Sequence, residues 1–234
     1  MSEMKKKFLI QTFDDEIRHD FAFELRNAIE YQRVFGNNNL EYEKMSYEQI
    51  IDSDGIPVGS VELVCDCLKK QHNKTPKPKN VPNLLKNHTN RHITNGTEKD
   101  IIEGKKQFVK SNDRIKGFSD IVSGNSNVPE GNYQISDVIE IWSEYRVFVF
   151  RNEIEGIHHY SGNPFVFPCP HTIQEMVKTY EIVSPIAYTL DVGVNKNGTF
   201  VIEVHDFFSC GLYGFSNYNI LPQMCSSWFY EFIR

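Results

Sequence analysis

The chain has 234 residues, with 31 acids against 25 lysines and arginines and a formal net charge of −6. That length buries a proper core, as one large domain or a few small lobes, and the acidic balance argues against broad electrostatic attachment to nucleic acid or an anionic membrane. No apolar run approaches bilayer length, the start MSEMKKKFLIQTFDDE reaches acids before a signal-peptide core develops, and the five cysteines lack a framework spacing, so a cytoplasmic, reduced chain is expected.

Lys7 to Thr12 reads as a buried strand, and Asp14-Asp15-Glu16 are acids of the kind a helix N-terminus attracts. Ile17, Phe21, Leu25, Ala28 or Ile29, and Gln32 recur at helical spacing, which predicts an amphipathic helix ending near Gly36 before a polar Asn37-Asn38-Asn39 loop. Ser46 with Gln49 three residues on has the pattern of a capping box for a short helix through Ile51. Asp54 to Ser60 is turn chemistry, and a helix over Val61 to Leu68 starts at Ser60. Thr75 to Pro82 is extended, because each proline biases its predecessor away from helix. Asn95 to Glu103 is polar and featureless, and lysines gather between Lys69 and Lys116.

From Gln107 the pattern turns to short strands. Phe108 to Lys110 and Ser119 to Val122 flank a polar loop that holds Lys116-Gly117, and the loop Gly124 to Gly131 follows. Asp137 to Trp142 reads as a strand, and Tyr145 to Phe150 turns through Arg151-Asn152-Glu153 into Ile154 to Tyr160. Gln174 to Tyr180 is helical, and the aromatic tail Trp228 to Phe232 packs back onto the body.

Two alternating runs, Tyr188 to Val194 and Thr199 to Val204, surround Asn195-Lys196-Asn197-Gly198 and predict a hairpin with one acid on each strand. A two-residue Asn197-Gly198 turn would oppose Asp191 to Val204 and send Glu203 to the other face. A three-residue loop with Gly198 left-handed puts Asp191 across from Glu203, with His205 on the same face. Acids directly opposed on a sheet repel, so that register calls for a cation. Magnesium suits it, since this ion takes few carboxylates and completes its shell with water and phosphate. The alternative is a solvated face bearing two unrelated acids.

Lys110, Lys116 and Arg146 precede this hairpin and supply the positive charges a polyphosphate needs. There is no Walker loop, no dinucleotide fingerprint and no kinase catalytic-loop set, so a nucleotide site uses another scaffold. Cys65-Asp66-Cys67 and Cys169-Pro170-His171 lack the paired spacing of structural zinc sites. His158 and His159 are adjacent on a strand and face opposite ways, which argues against a shared metal and leaves one of them open as a substrate contact.

FVKSNDRIKGFSD (Phe108 to Asp120), IEIWSEYRVFVFRNEIEG (Ile139 to Gly156) and AYTLDVGVNKNGTFVIEVHDFFSCGLYGF (Ala187 to Phe215) resemble the successive motifs of ATP-grasp enzymes. The resemblance is strongest to a small clade, common in bacteria and phages, named for one arginine and two lysines. IPVGSVELV (Ile56 to Val64) and PKPKNVPNLL (Pro76 to Leu85) are similar to the clade's pre-ATP-grasp part, so the likeness spans most of the chain. It implies an α/β (α+β) ATP-grasp fold in which two sheet-rich lobes clamp ATP, preceded by a small α/β pre-ATP-grasp lobe. Residues 1–104 would form that N-terminal lobe and 105–234 the ATP-grasp lobes, lysine-bearing over about 105–136 and metal-bearing over about 137–234.

The same resemblance implies roles. Lys110 and Lys116 match the phosphate-contacting lysines, and Arg146 the arginine that neutralises the triphosphate or an acyl phosphate, which makes Arg146 and Lys116 the catalytic cations. Asp191 and Glu203 match the magnesium ligands. His205 stands where many relatives carry asparagine, as a third metal contact of altered chemistry. The backbone from Val138 to Ile141 matches the adenine hinge, with Glu140 near the amino group. Apart from the resemblance, Asp206 and Cys210 to Gly214 follow the metal strand and would shape an acceptor pocket, the alternative being an aromatic-rich turn, which is favoured for Tyr213 and Phe215. The implied activity is ATP- and magnesium-dependent joining of a small-molecule or peptide carboxylate to an amine, in the cytoplasm of a bacterium or of a phage's host. No membrane and no nucleic-acid polymer is expected as partner, while a modified nucleobase stays open as acceptor. A small-molecule kinase on the same scaffold and an inactive nucleotide-binding interaction module are the alternatives.

Overall fold

The computed structural model describes residues 5–234. Strand β1 (Lys6–Gln11) is the centre of a parallel three-stranded sheet, and its Phe8, Leu9 and Ile10 are fully buried, as a strand covered on both faces requires. Helix α1 (Asp20–Val34) buries Phe21, Ala22, Leu25, Ala28 and Ile29 along one stripe. It starts later than its acids predict. Asp14 and Asp15 take left-handed φ values of 50° and 65° in a tight turn closed by a Phe13–Glu16 bridge, a conformation that aspartate tolerates better than most residues. Ile17 thus lies outside the helix.

Strand β2 (Leu40–Met45) pairs with β1 from Lys6 opposite Leu40, and the periodicity did not foretell it. Its alternating acids face lysines across the ladder, with Lys7 and Glu43 2.6 Å apart, so this edge reads as polar. Helix α2 (Tyr47–Ile51) has the expected capping box between Ser46 and Gln49. Strand β3 (Ile56–Val58) lies inside the predicted turn, with Pro57 tolerated because β3 is the other edge. Helix α3 (Val61–His72) starts on the Ser60 cap and ends at a left-handed Asn73.

A second compact unit runs over Pro76–Ser184 and Thr189–His205. It contains two antiparallel sheets. The first uses β4 (Ile93–Thr97), β5 (Gln107–Ser111), β6 (Ser119–Val122) and β7 (Asn132–Asp137) in the order β4-β7-β5-β6. Val109, Ile135, Tyr133 and Ile101 form its core on one face, leaving Phe108, Lys110, Gln134 and Ser136 on the other. Neither β4 nor β7 is announced by sequence, and the strand predicted over Asp137 to Trp142 is an irregular link that begins where β7 ends.

The second sheet uses β8 (Ser143–Phe150) and β9 (Glu153–Gly162), then, after helix α4 (Pro170–Tyr180), β10 (Ala187–Asn195) and β11 (Gly198–Asp206). Its order is β11-β10-β8-β9. The β8–β9 hairpin turns on Arg151 and Asn152, both left-handed, with Glu153 already paired to Phe150. Helix α5 (Leu221–Ile233) belongs to the first unit, whose remaining segments are Pro185–Tyr188 and Asp206–Arg234. There Trp228 stacks between Phe208 and Phe232. Gln32 donates from α1 to Tyr218 O at 2.6 Å. The tail therefore packs onto a body, as expected. Among the described residues the five cysteines form no disulfide, and no helix is long and apolar enough to cross a membrane.

Candidate nucleotide and metal site

Gly198 takes φ +101°, the left-handed value that the three-residue loop demands. Asp191, Glu203 and His205 accordingly share one face: one ligand atom from each lies within 4.8 Å of the others. That span closes on a single cation with small side-chain adjustments, so the residues fit a metal. Two carboxylates are the donors magnesium prefers, whereas a neutral imidazole favours softer ions.

Arg146 projects from β8 onto the same face and is buried at 7 % exposure. Its Nε donates to Asp191 Oδ1 at 2.8 Å and its Nη2 to Oδ2 at 2.7 Å. This is a fork-to-fork pair, the strongest geometry available to a guanidinium and a carboxylate. The Tyr160 ring lies 5.8 Å from the guanidinium, and its hydroxyl donates to Glu144 Oε2 at 2.8 Å. Burial, then the charges of Asp191 and Glu144, push the Tyr160 phenol up, so it stays a donor.

Lys110 comes from the other sheet of the unit. Its Nζ pairs with Glu203 Oε2, while His205 Nε2 lies 2.9 Å from Glu203 Oε1 and 3.9 Å from Asp191 Oδ2. Burial pulls the Lys110 ammonium down to about 8, Arg146 and Arg91 act in the same direction, and Asp191 opposes them. Five of the expected residues, Lys110, Arg146, Asp191, Glu203 and His205, thus form one cluster.

Beside them is a cavity of about 50 Å³ lined by Arg91, Phe108, Lys110, Gln134, Ser136 and Glu203, among others. Ser136 Oγ is buried there without a hydrogen-bond partner among the described residues. Arg91 was not anticipated. It donates to the carbonyls of Val201 and Ile202 at 3.2 and 3.0 Å, and burial pulls it down to about 10, so it remains charged at neutral pH. Asn80 was also missed. It bridges to β11, where Val204 N donates to Asn80 O at 2.8 Å, and its amide donates to Ser111 O and Asn112 Oδ1. Arg91 sits in no motif, and Asn80 lies within the Pro76 to Leu85 stretch without being marked there as a site residue, so their position in space singles them out.

The link after β7 runs beside β10: Trp142 N donates to Val194 O at 2.8 Å, and Asn195 Nδ2 to Glu140 O at 3.2 Å. Ile141 is half-buried and Glu140 exposed. Lys116 is exposed at φ +54° in the loop between β5 and β6, and no ion pair joins it to the cluster among the described residues.

Comparison with solved structures shows a shared architecture. The D-alanine–D-alanine ligase of Bacillus anthracis complexed with ATP is 12% identical at a TM-score of 0.57, covering 99% of this chain and 97% of its own. An ATP-grasp RimK domain protein of Sphaerobacter thermophilus is 12% identical at 0.56, covering 95% and 99%. N5-carboxyaminoimidazole ribonucleotide synthetase of Thermotoga maritima is 14% identical at 0.51, covering 94% and 76%. At such identities the likeness is one of fold. Comparison with curated protein sequences finds no match. The family model of an ATP-grasp domain, family 2 of the clade named for one arginine and two lysines, matches residues 88–222, more than half of the chain and the whole of the cluster just described. The chain therefore belongs to that arginine-and-two-lysine clade of the ATP-grasp superfamily.

Proposed function

We propose that this chain is an ATP-dependent carboxylate–amine ligase that works through an acyl phosphate. The observation that carries the reading is the convergence of two cations, Lys110 and Arg146, with two acids, Asp191 and Glu203, in an ATP-grasp fold. In this reading Lys110 and Arg91 hold the phosphate tail, and adenine lies against the backbone of Glu140 and Ile141. Lys116 joins them when its loop folds over the nucleotide. In the same reading the lysine-bearing part is about 105–136 and the metal-bearing part about 137–234, preceded in the chain by a pre-ATP-grasp lobe of 1–104.

Asp191 and Glu203, with His205 beside them, would hold magnesium, which when bound draws negative charge from the triphosphate. A substrate carboxylate oxygen attacks the γ-phosphorus, the bond to ADP breaks, and an acyl phosphate forms. The amine nitrogen then attacks the acyl carbon, inorganic phosphate leaves, and the nitrogen loses its proton to solvent. Arg146 neutralises charge at the transferring group. No protein nucleophile is needed, because alignment and charge neutralisation supply the rate.

The neighbouring ligases named above motivate the amine acceptor. In a kinase the phosphoryl group would stay on the product, whereas a ligase releases it, so phosphate release over a screen of carboxylate and amine pools separates the two. The His205–Glu203 contact of 2.9 Å favours a second reading, a binding module, because an imidazole replaces a harder ligand beside the acids. ATP affinity without turnover across the screen would select it. Calorimetry with a non-hydrolysable ATP analogue tests the common core of both. Lys110→Ala and Arg146→Ala are expected to weaken binding roughly tenfold or more each, and Glu203→Ala to remove mainly the magnesium-dependent part. Equal affinities in all three variants would rule out the assignment.

A further inference from the structure

All four carboxylate oxygens at the proposed metal position are already engaged. Asp191 Oδ1 and Oδ2 accept the two prongs of Arg146, Glu203 Oε2 accepts Lys110, and Glu203 Oε1 faces His205 Nε2. Lys110 and Glu203 stand on different sheets, β5 and β11, so their pair also ties the two sheets together beside the cavity. That cavity, about 50 Å³, is several-fold smaller than the roughly 300 Å³ or more of typical small-molecule sites.

We infer that the Lys110–Glu203 pair is a latch that closes the nucleotide cleft and keeps the acids from a free divalent cation, so that the site takes metal and polyphosphate together. The inference rests on the nucleotide reading above. A bare dication approaching Asp191 and Glu203 meets two positive side chains already in place, and displacing Lys110 leaves a partly buried ammonium without an acceptor. A polyphosphate removes both obstacles. Its oxygens accept Lys110 as the lysine leaves Glu203, the freed carboxylate turns to the metal, and the sheets separate at the same step. Metal and nucleotide then favour one another reciprocally. Lys110 is the moving member, because Arg146 is gripped at both prongs by Asp191 and backed by the Tyr160 ring, whereas Lys110 and Glu203 retain 25% and 17% side-chain exposure.

The test uses Mn²⁺ as a spectroscopic probe, titrated into the full chain without nucleotide and followed by electron paramagnetic resonance. The wild type is expected to bind it weakly. Lys110→Met is expected to bind it roughly tenfold more tightly, Lys110→Arg to behave as wild type, and the double variant Lys110→Met/Glu203→Gln to lose the gain. Lys110→Gln serves as a milder change, and circular dichroism verifies the fold of each variant. Tight Mn²⁺ binding by the wild type alone, abolished by Glu203→Gln, would overturn the latch without recourse to any lysine variant. So would an unchanged Mn²⁺ affinity in folded Lys110→Met. Calorimetry with ADP and Mg²⁺ keeps the two proposals apart: absence of any ADP binding defeats the nucleotide reading and the latch with it, whereas ADP binding alongside unhindered metal binding defeats the latch alone.

Discussion

Asp191 is almost fully buried, and it shares its two oxygens with one guanidinium. A buried ion pair adds little net stability, yet removing one partner strands the other and costs about 3–5 kcal/mol. Asp191→Ala is therefore expected to lower stability by about that amount in urea denaturation, and Glu203→Ala by less, because its pair with Lys110 keeps more solvent access. Equal losses would mean that Asp191 is not the structural anchor of the cluster. The residue types and spacing made Lys110, Arg146, Asp191 and Glu203 visible in the sequence, because each lies on a short alternating run. Arg91 and Ser136 were invisible for a plain reason: they fall on β4's approach and on β7, polar stretches whose strand character comes from pairing with neighbours and not from their own apolar pattern.

The β10–β11 hairpin owes its register to one glycine and its packing to another. Gly198 supplies the left-handed turn, and Gly193 leaves room for the Phe200 ring, whose Cζ would lie only 2.6 Å from an added Cβ, with Ile141 at 3.2 Å. Gly193→Ala is expected to destabilise by about 1–3 kcal/mol. Adding Phe200→Leu should restore part of the loss, a non-additivity that a double-mutant cycle measures. Additive effects would place the strain elsewhere. At the start of α4, exposed Cys169 has its thiol held below the ordinary range by hydrogen bonds from the Thr172 side chain and backbone. Burial instead pushes Cys67 up to about 11, and raises the wholly buried Cys225. Iodoacetamide at neutral pH should therefore label Cys169 first and spare Cys67 and Cys225 until denaturant is added, as peptide mass mapping would show.

The first compact unit is assembled from residues far apart in the chain, since 206–234 belongs with the N-terminal segment. Phe207 meets Phe21 edge-on at 5.5 Å, and Leu212 N donates to Asp20 Oδ2 at 3.3 Å. A fragment ending at Thr75 is accordingly expected to remain largely unfolded, and truncation before Leu221 to destabilise the same unit, both read by circular dichroism and limited proteolysis. A cooperative transition in the isolated fragment would contradict this.

Local chemistry alone was enough for β1, for the Ser46 and Ser60 helix starts and for the hairpin that carries the two acids, because capping, alternation and a turn glycine act within a few residues of one another. The strands β2, β3, β4 and β7, by contrast, depend on partners distant in sequence. Hydrogen bonding across strands and burial of shared surface decide those features, and neither quantity is written in any short stretch of residues. The same holds for the pairing of Lys110 with Glu203: each side chain could be named from its own motif, but only two sheets folded beside one another bring an ammonium from the first onto a carboxylate of the second.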